Sequence, residues 1–376
     1  MKKNWDVVVV GSRVAGAATA LQLARAGARV LCLDRTRRGS DTLSTHALMR
    51  AGVLLLDRWG VLPAITAAGT PAIRRTLFDY GSDGRVAISI KPAAGVDALY
   101  APRRTLLDAA IVDAAESAGA TMDFGVTVTG LHRTGDRVDG VTVRRGGRDR
   151  VIRAGLVIGA DGRESVVARQ APAAVTAAGR NAAVYLYSYW ADLPADGYEW
   201  LYRPGFSAGV IPTGGGLCCL FVGGAAPDMA AAVRQHGGPA QAYRRLADRA
   251  GLADRLAEAT RAESVRHVRG LPAGYLRRAH GPGWALVGDA GHWLDPISTH
   301  GITSALRDAE LFGRGHVDEY ERTRDRLSVP MLRAADEIAG HRWDMDRLRV
   351  LLRTMASAMS DEVDELMMGA LEAHGR

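Results

Sequence analysis

The hydrophobic pattern opens with an unbroken β-branched run, Val7 to Val10, that Gly11 ends. A run without polar alternation reads as a strand buried on both faces. The Ala/Leu-rich segment Ala17 to Ala26 predicts a helix closed by Gly27, and Val30 to Leu33 predict a second strand ending at Asp34. Together they form a βαβ unit, right-handed by rule, whose helix N-terminus offers free N–H groups to a pyrophosphate. Gly11 and Gly16 take the first and third glycine positions of G-x-G-x-x-G, and Arg13 takes the middle one. Asp34 follows roughly 20 residues on, where a dinucleotide fold places an acid for the ribose hydroxyls. The unit predicts a dinucleotide site, with Arg13 turned either away from the phosphates or toward them as an added cation.

Apolar residues Leu48, Val53, Leu56 and Trp59 recur at helical spacing, so Thr45 is read as a cap, with His46 either a capping or core-edge histidine or part of a loop beside the cofactor. Phe78 to Ile90 read as a hairpin about Gly81 to Gly84. A helix is predicted over Tyr100 to Ala118, with Arg103 and Arg104 in a first turn that normally prefers acids, so one of them suits a bound anion. A three-stranded meander (125–131, 138–144, 150–158) runs into Gly159-Ala160-Asp161-Gly162. Tyr185, Tyr187 and Tyr189 alternate along the next strand, placing a row of phenols on one face, either as sheet packing or as a roof over an aromatic ligand. Trp200 and Tyr202 continue that sheet, residues 230–262 read as helical, and 171–178 as a connector. A strand then empties into Gly288-Asp289, a helix follows over Gly301 to Phe312, and 317–376 read as helical throughout.

With 376 residues, 47% of them hydrophobic, the chain can bury the core of two or three domains. The net charge of +7 comes from scattered arginines, with lysine at positions 2, 3 and 91 alone, and no dense basic run speaks for nucleic acid. Cys32, Cys218 and Cys219 have neither CxxC nor metal spacing, and adjacent Cys218 and Cys219 should point to opposite faces of a strand. A reducing, cytoplasmic setting is expected. The first strand begins too early for a signal peptide, and no apolar run reaches the ~18 residues of a membrane span.

Three separated stretches carry one resemblance: GSRVAG with Asp34, GADGRESVVAR, and GDAGHWLDPISTHG. The chain resembles the FAD-dependent oxidoreductases of the p-hydroxybenzoate hydroxylase fold, which include class A monooxygenases and geranylgeranyl-reductase-like enzymes. The resemblance spans residues 5 to about 312. It implies an α/β fold (α+β overall), a Rossmann-like FAD/NAD(P)-binding domain (1–76, 100–180, 276–316) with an inserted antiparallel-sheet substrate domain (77–99, 181–275) and a helical C-terminus (317–376). It places Gly11, Arg13, Val14, Ala15, Gly16, Asp34 and Arg35 at the adenine end, Arg103 or Arg104, with Arg103 the choice, as the helix arginine that contacts FAD, and Asp161, Gly162 and Arg169 in the Asp-Gly motif. Gly288 and Asp289 fall at the ribityl chain, and Pro296, Gly301 and Ile302 beside the isoalloxazine. Thr299 stands where the loop P-x-x-G-x-G has its first glycine.

The implied chemistry is hydride transfer from NAD(P)H to FAD, then oxygenation of an aromatic or other electron-rich small molecule by a flavin C4a-hydroperoxide formed with O₂. Such chemistry needs no side-chain nucleophile or metal; His46, His292 and His300 are the candidates for proton handling. Tyr187, Tyr189, Trp200 and Tyr202 are the expected substrate contacts, in a monomer or homodimer. A reductase of isoprenoid or polyene double bonds is the alternative, and a non-catalytic flavin-binding module the second.

Overall fold

A computed structural model describes residues 5–374; the remaining ends of the first and last predicted segments lie outside it. β1 (Trp5–Val10) lies between two parallel neighbours, β2 (Val30–Asp34) and β3 (Arg148–Gly159). Thr121–Phe124 extends the sheet beyond β2, and Trp284–Leu286 extends it beyond β3. Alternation along β1 divides two cores. Val7 and Val9 face α1 (Val14–Arg25) and its helical neighbours, whereas Val8 and Val10 face the meander residues Val126, Val141 and Val143. β3 is long enough to serve twice: its exposed first half pairs antiparallel with Arg137–Arg145, and its buried second half joins the parallel sheet.

α1 packs between α2 (Arg104–Ser117) and α3 (Gly301–Gly313). Small residues make this possible. A Cβ on Gly16 would stand 1.8 Å from the Gly11 carbonyl oxygen, so the helix can approach the turn after β1 only with glycine there.

The second sheet runs Ala183–Ala191, Leu217–Ala225, Phe206–Pro212, Tyr198–Arg203 in antiparallel order, and the hairpin Arg75–Asp79/Arg85–Ser89 joins its far edge. We call Ala183–Ala191 β4. Its tyrosines face the main core, while Leu186, Trp190 and Leu220 pack on Tyr243 and Leu246. Cys218 and Cys219 separate onto these two faces.

Several segments differ from the sequence expectation. The stretch 230–262 is broken into Ala226–Gln235, Pro239–Ala247 and Ala253–Glu258. Gly237, Gly238 and Gly251 adopt positive φ, and Pro239 starts a new helix rather than continuing the old one. The C-terminus is two helices, α4 (Val317–Ala339) and α5 (Met345–His374), parted at residues 340–344, where His341 has φ +50°. Val175–Ala178, read as connector, is a strand of a small third sheet.

Candidate active site

The turns after β1, β2, β3 and Trp284–Leu286 meet at one edge of the parallel sheet, where an open α/β sheet forms its crevice. They line a cleft of about 590 Å³ that continues to the tyrosine face of β4. Gly11, Arg13, Val14, Ala15, Asp34, Arg35, Asp161, Gly162, Asp289, Pro296, Gly301 and Ile302 all border it. Gly16 and Gly288 act from behind: Gly288 has φ +57°, and a Cβ there would lie 2.7 Å from that of Ala15.

At one end, Asp34 Oδ2 accepts from the Ser12 amide (2.8 Å) and hydroxyl (3.0 Å), and Oδ1 accepts from the Thr36 amide and hydroxyl, each at 2.7 Å. Burial works against the charge, but these bonds outweigh it and hold the carboxyl below its usual range. α1 has no acid in its first turn and no side-chain cap, which leaves its terminal amides for an anion. Arg13 turns sideways: Nη1 donates to the Ser40 carbonyl and, at 3.3 Å, to Asp108, while Nη2 donates to the Asp41 carbonyl.

Arg104, not Arg103, reaches the cleft wall, held by Asp108 at 2.9 and 3.1 Å. Arg103 caps α2 from outside. It pairs with Glu263 at 2.8 Å and stacks 3.8 Å from the Tyr189 ring centroid, so the expectation for the helix arginine moves one residue. Asp161 accepts from the Val166 amide at 2.7 Å, at the start of a short helix that Ser165 caps, and burial raises its pKa. Arg169, on that helix, is exposed and bonds Glu164 instead of facing the cleft. Arg163 does border the cleft, 4.8 Å over the Trp293 ring. The Asp289 carboxylate has no hydrogen-bond partner among the described residues, and burial pushes its pKa up to about 6.

Thr45 does not cap a helix. The next helix starts at Arg50, and residues 42–47 line the cleft as a loop in which His46 takes φ +72°. That conformation docks its ring, and Nε2 is hydrogen-bonded to Tyr189 Oη. The imidazole is fully buried, its Nδ1 lacks a partner, and burial with Arg103 and Arg104 lowers its pKa to about 3. His300 also borders the cleft, with Nε2 2.5 Å from Glu362 Oε2. His292 does not: it is buried behind Leu294 beside Arg307, and burial and that guanidinium keep it neutral.

Of the expected substrate contacts, Tyr187 lines the cleft and Tyr189 stands behind His46. Trp200 and Tyr202 are packed in the aromatic core against Phe221 and against Tyr80 and Trp343. Tyr185, Val268, Leu271 and Leu294 are among the wall residues that sequence reasoning missed. The alternation did contain Tyr185. Its hydroxyl bonds Asp295, which also accepts from the Ala183 amide (2.9 Å) and the Ile297 amide (3.0 Å), tying the sheet to the Pro296 loop. Thr299 adopts the left-handed φ of +51° that explains a glycine preference there.

The sequence pattern of the FAD binding domain covers residues 4–315. The chain belongs to the FAD binding domain family. It is an FAD-dependent oxidoreductase of mixed α/β architecture, with a parallel nucleotide sheet, an antiparallel second sheet and C-terminal helices. It is 27% identical to a digeranylgeranylglycerophospholipid reductase of Methanocella arvoryzae over 83% of this chain and 77% of that protein. It is 28% identical to the 6-methylpretetramide 4-monooxygenase of Streptomyces rimosus, over 81% and 73%. The fold matches that of PqsL of P. aeruginosa, solved with 2-aminobenzoylacetate: TM-score 0.78, 20% identity, 93% of this chain and 99% of that one. Among the described residues no cluster suits a metal, and no helix is long and apolar enough to cross a membrane.

Proposed function

We propose that this FAD-binding chain is an NAD(P)H-dependent monooxygenase acting on an aromatic or other electron-rich small molecule. The observation that carries the reading is the far end of the cleft, where Tyr185, Tyr187 and the neutral imidazole of His46 share the wall with Val268, Leu271 and Leu294. Such a mixture stacks and hydrogen-bonds a planar polar substrate.

The cradle suits FAD: uncapped amides, Gly11 and Gly288 where a Cβ would collide, and an unpartnered carboxylate in the wall. In this reading the amides of α1 receive the pyrophosphate, with Arg104 as countercharge, Asp34 and Arg35 meet the adenosine, and Asp161 and Asp289 hold the polyol chain. Residues Pro296 to Ile302 border the ring. Bound FAD would supply hydride acceptance from NAD(P)H and activation of dioxygen. Tyr187 and Tyr185 orient the substrate, and His46, fixed by Tyr189, forms the neutral wall beside them. Leu271 and Leu294 keep water from the reacting centre.

The test is oxygen uptake coupled to substrate-dependent NADH or NADPH oxidation over a panel of phenols, anilines and polyketide aromatics, with ¹⁸O₂ traced into product. The curated reductase relative motivates a second reading, reduction of a polyprenyl double bond. Anaerobic saturation of a polyprenyl substrate, with no label incorporated from oxygen, would replace the first reading by the second.

A further inference from the structure

Arg85–Ser89 is the outermost strand of the second sheet, and every residue on it is exposed. Val86 and Ile88, 49% and 48% exposed, lie opposite Phe78 and Thr76 and so share one face of the sheet. A single exposed apolar residue needs no explanation, but two on one face of an unpaired sheet edge do.

The hairpin's own bonds fix which backbone groups of this strand are left over. The Tyr80 amide donates to the Gly84 carbonyl at 2.9 Å, and the Ile90 amide to the Arg74 carbonyl at 2.8 Å. Between these two bonded pairs, antiparallel alternation makes Arg75/Ser89, Leu77/Ala87 and Asp79/Arg85 the non-hydrogen-bonded pairs. The N–H and C=O groups of Arg85, Ala87 and Ser89 therefore point out of the sheet edge, where no strand meets them among the described residues. No bulge blunts this edge, and Pro92 comes only after the strand has ended. Its one charge is drawn back into the hairpin, Arg85 Nε donating to Asp79 Oδ2 at 2.8 Å.

The same strand of a second copy, run antiparallel about a two-fold axis at Ala87, satisfies all of these groups at once. Ala87 exchanges both backbone bonds with the partner's Ala87, and Arg85 exchanges them with the partner's Ser89. Val86 then meets the partner's Ile88 in a close non-hydrogen-bonded pair. Charge is complementary too, because the arginine stands opposite a serine and no like charges face each other.

We propose that Arg85–Ser89 is the contact through which two copies of this chain join their second sheets into one continuous sheet. A five-residue ribbon covers less than the ~800 Å² per partner of a standard-size interface, so the dimer forms in a concentration-dependent equilibrium. The contact is separate from the cleft, which Val86, Ala87 and Ile88 do not line.

Sedimentation velocity of the FAD-loaded protein through the micromolar range tests it, with a shift from monomer to dimer expected. Val86→Lys combined with Ile88→Lys sets lysine opposite lysine and should weaken dimerisation by roughly tenfold or more. Val86→Glu combined with Ile88→Lys is equally polar but sets glutamate opposite lysine. It should dimerise more tightly than the double-lysine variant and lose that advantage as salt is raised. Ala87→Pro removes an amide that the hairpin does not use and should leave a monomer. Tm and FAD content of both charged variants should match the native protein, since the side chains replaced are exposed. If Ala87→Pro disturbs the hairpin, the two charged variants decide alone. A protein that stays monomeric throughout, a dimer untouched by these substitutions, or equal weakening in the two charged variants would overturn the proposal.

Discussion

The Gly288 amide donates to Asp308 Oδ2 at 3.0 Å, so the turn that carries Asp289 is anchored to α3 rather than to its own strand. The turn therefore presents Asp289 to the cleft with no protein donor on its carboxylate. That arrangement suits a polyol ligand and is costly without one.

Asp289→Asn should accordingly separate binding from stability. FAD affinity is expected to fall roughly 10–100-fold, the value of a lost charge-assisted hydrogen bond. Apoprotein stability at pH 7 should rise by about 1–2 kcal/mol, discounted for the partial exposure of this residue. The sign follows from linkage. With its pKa raised from 3.8 to about 6, Asp289 carries no penalty below pH 4, and the folded state loses stability as pH rises through 6. Chemical denaturation of native and variant apoprotein at pH 4 and pH 7 checks both halves. A difference equal at the two pH values would contradict the assignment.

His46 shifts the other way. Its imidazole is buried neutral with a pKa of about 3, so its contribution is intact above pH 6.5 and is lost as pH falls toward 3. No His46 titration should appear by NMR between pH 5 and 8. Replacing Tyr189 by Phe leaves Nε2 unpaired and should cost about 1–3 kcal/mol, with faster hydrogen exchange across residues 41–47.

The two neighbouring arginines should behave differently. Arg104→Met removes a cation from the cleft wall and is expected to weaken FAD binding by roughly tenfold or more, read by fluorescence titration. Arg103→Met should leave affinity within about threefold and instead lower Tm, through lost contacts with Glu263 and the Tyr189 ring. Equal losses of affinity would show that the cleft is drawn in the wrong place.

Gly16→Ala places a methyl group 1.8 Å from the Gly11 carbonyl oxygen. Either the helix moves off the turn or the turn deforms, and both separate the amides from the site. Loss of several degrees in Tm together with loss of bound FAD is expected. A fully yellow, equally stable variant would contradict the close packing described for α1.

What the sequence determined by itself was local. The valine run, the glycine spacing and the terminal acid specify β1, α1 and β2, because strand burial, positive φ and close helix approach each restrict the residue at one position. The alternating tyrosines of β4 specify a face in the same way, and the order of the three motifs specifies the family. The helix limits were less legible: Thr45 has the chemistry of a cap, yet His46 bonds Tyr189, far along the chain, and holds residues 41–47 as a loop. Which arginine reaches the cleft, which tyrosines wall it, and that Glu362 closes on His300 were decided by the tertiary structure alone. Those choices depend on how distant, already formed elements pack, and side chains brought together across the fold leave no mark in the periodicity of the segments that carry them.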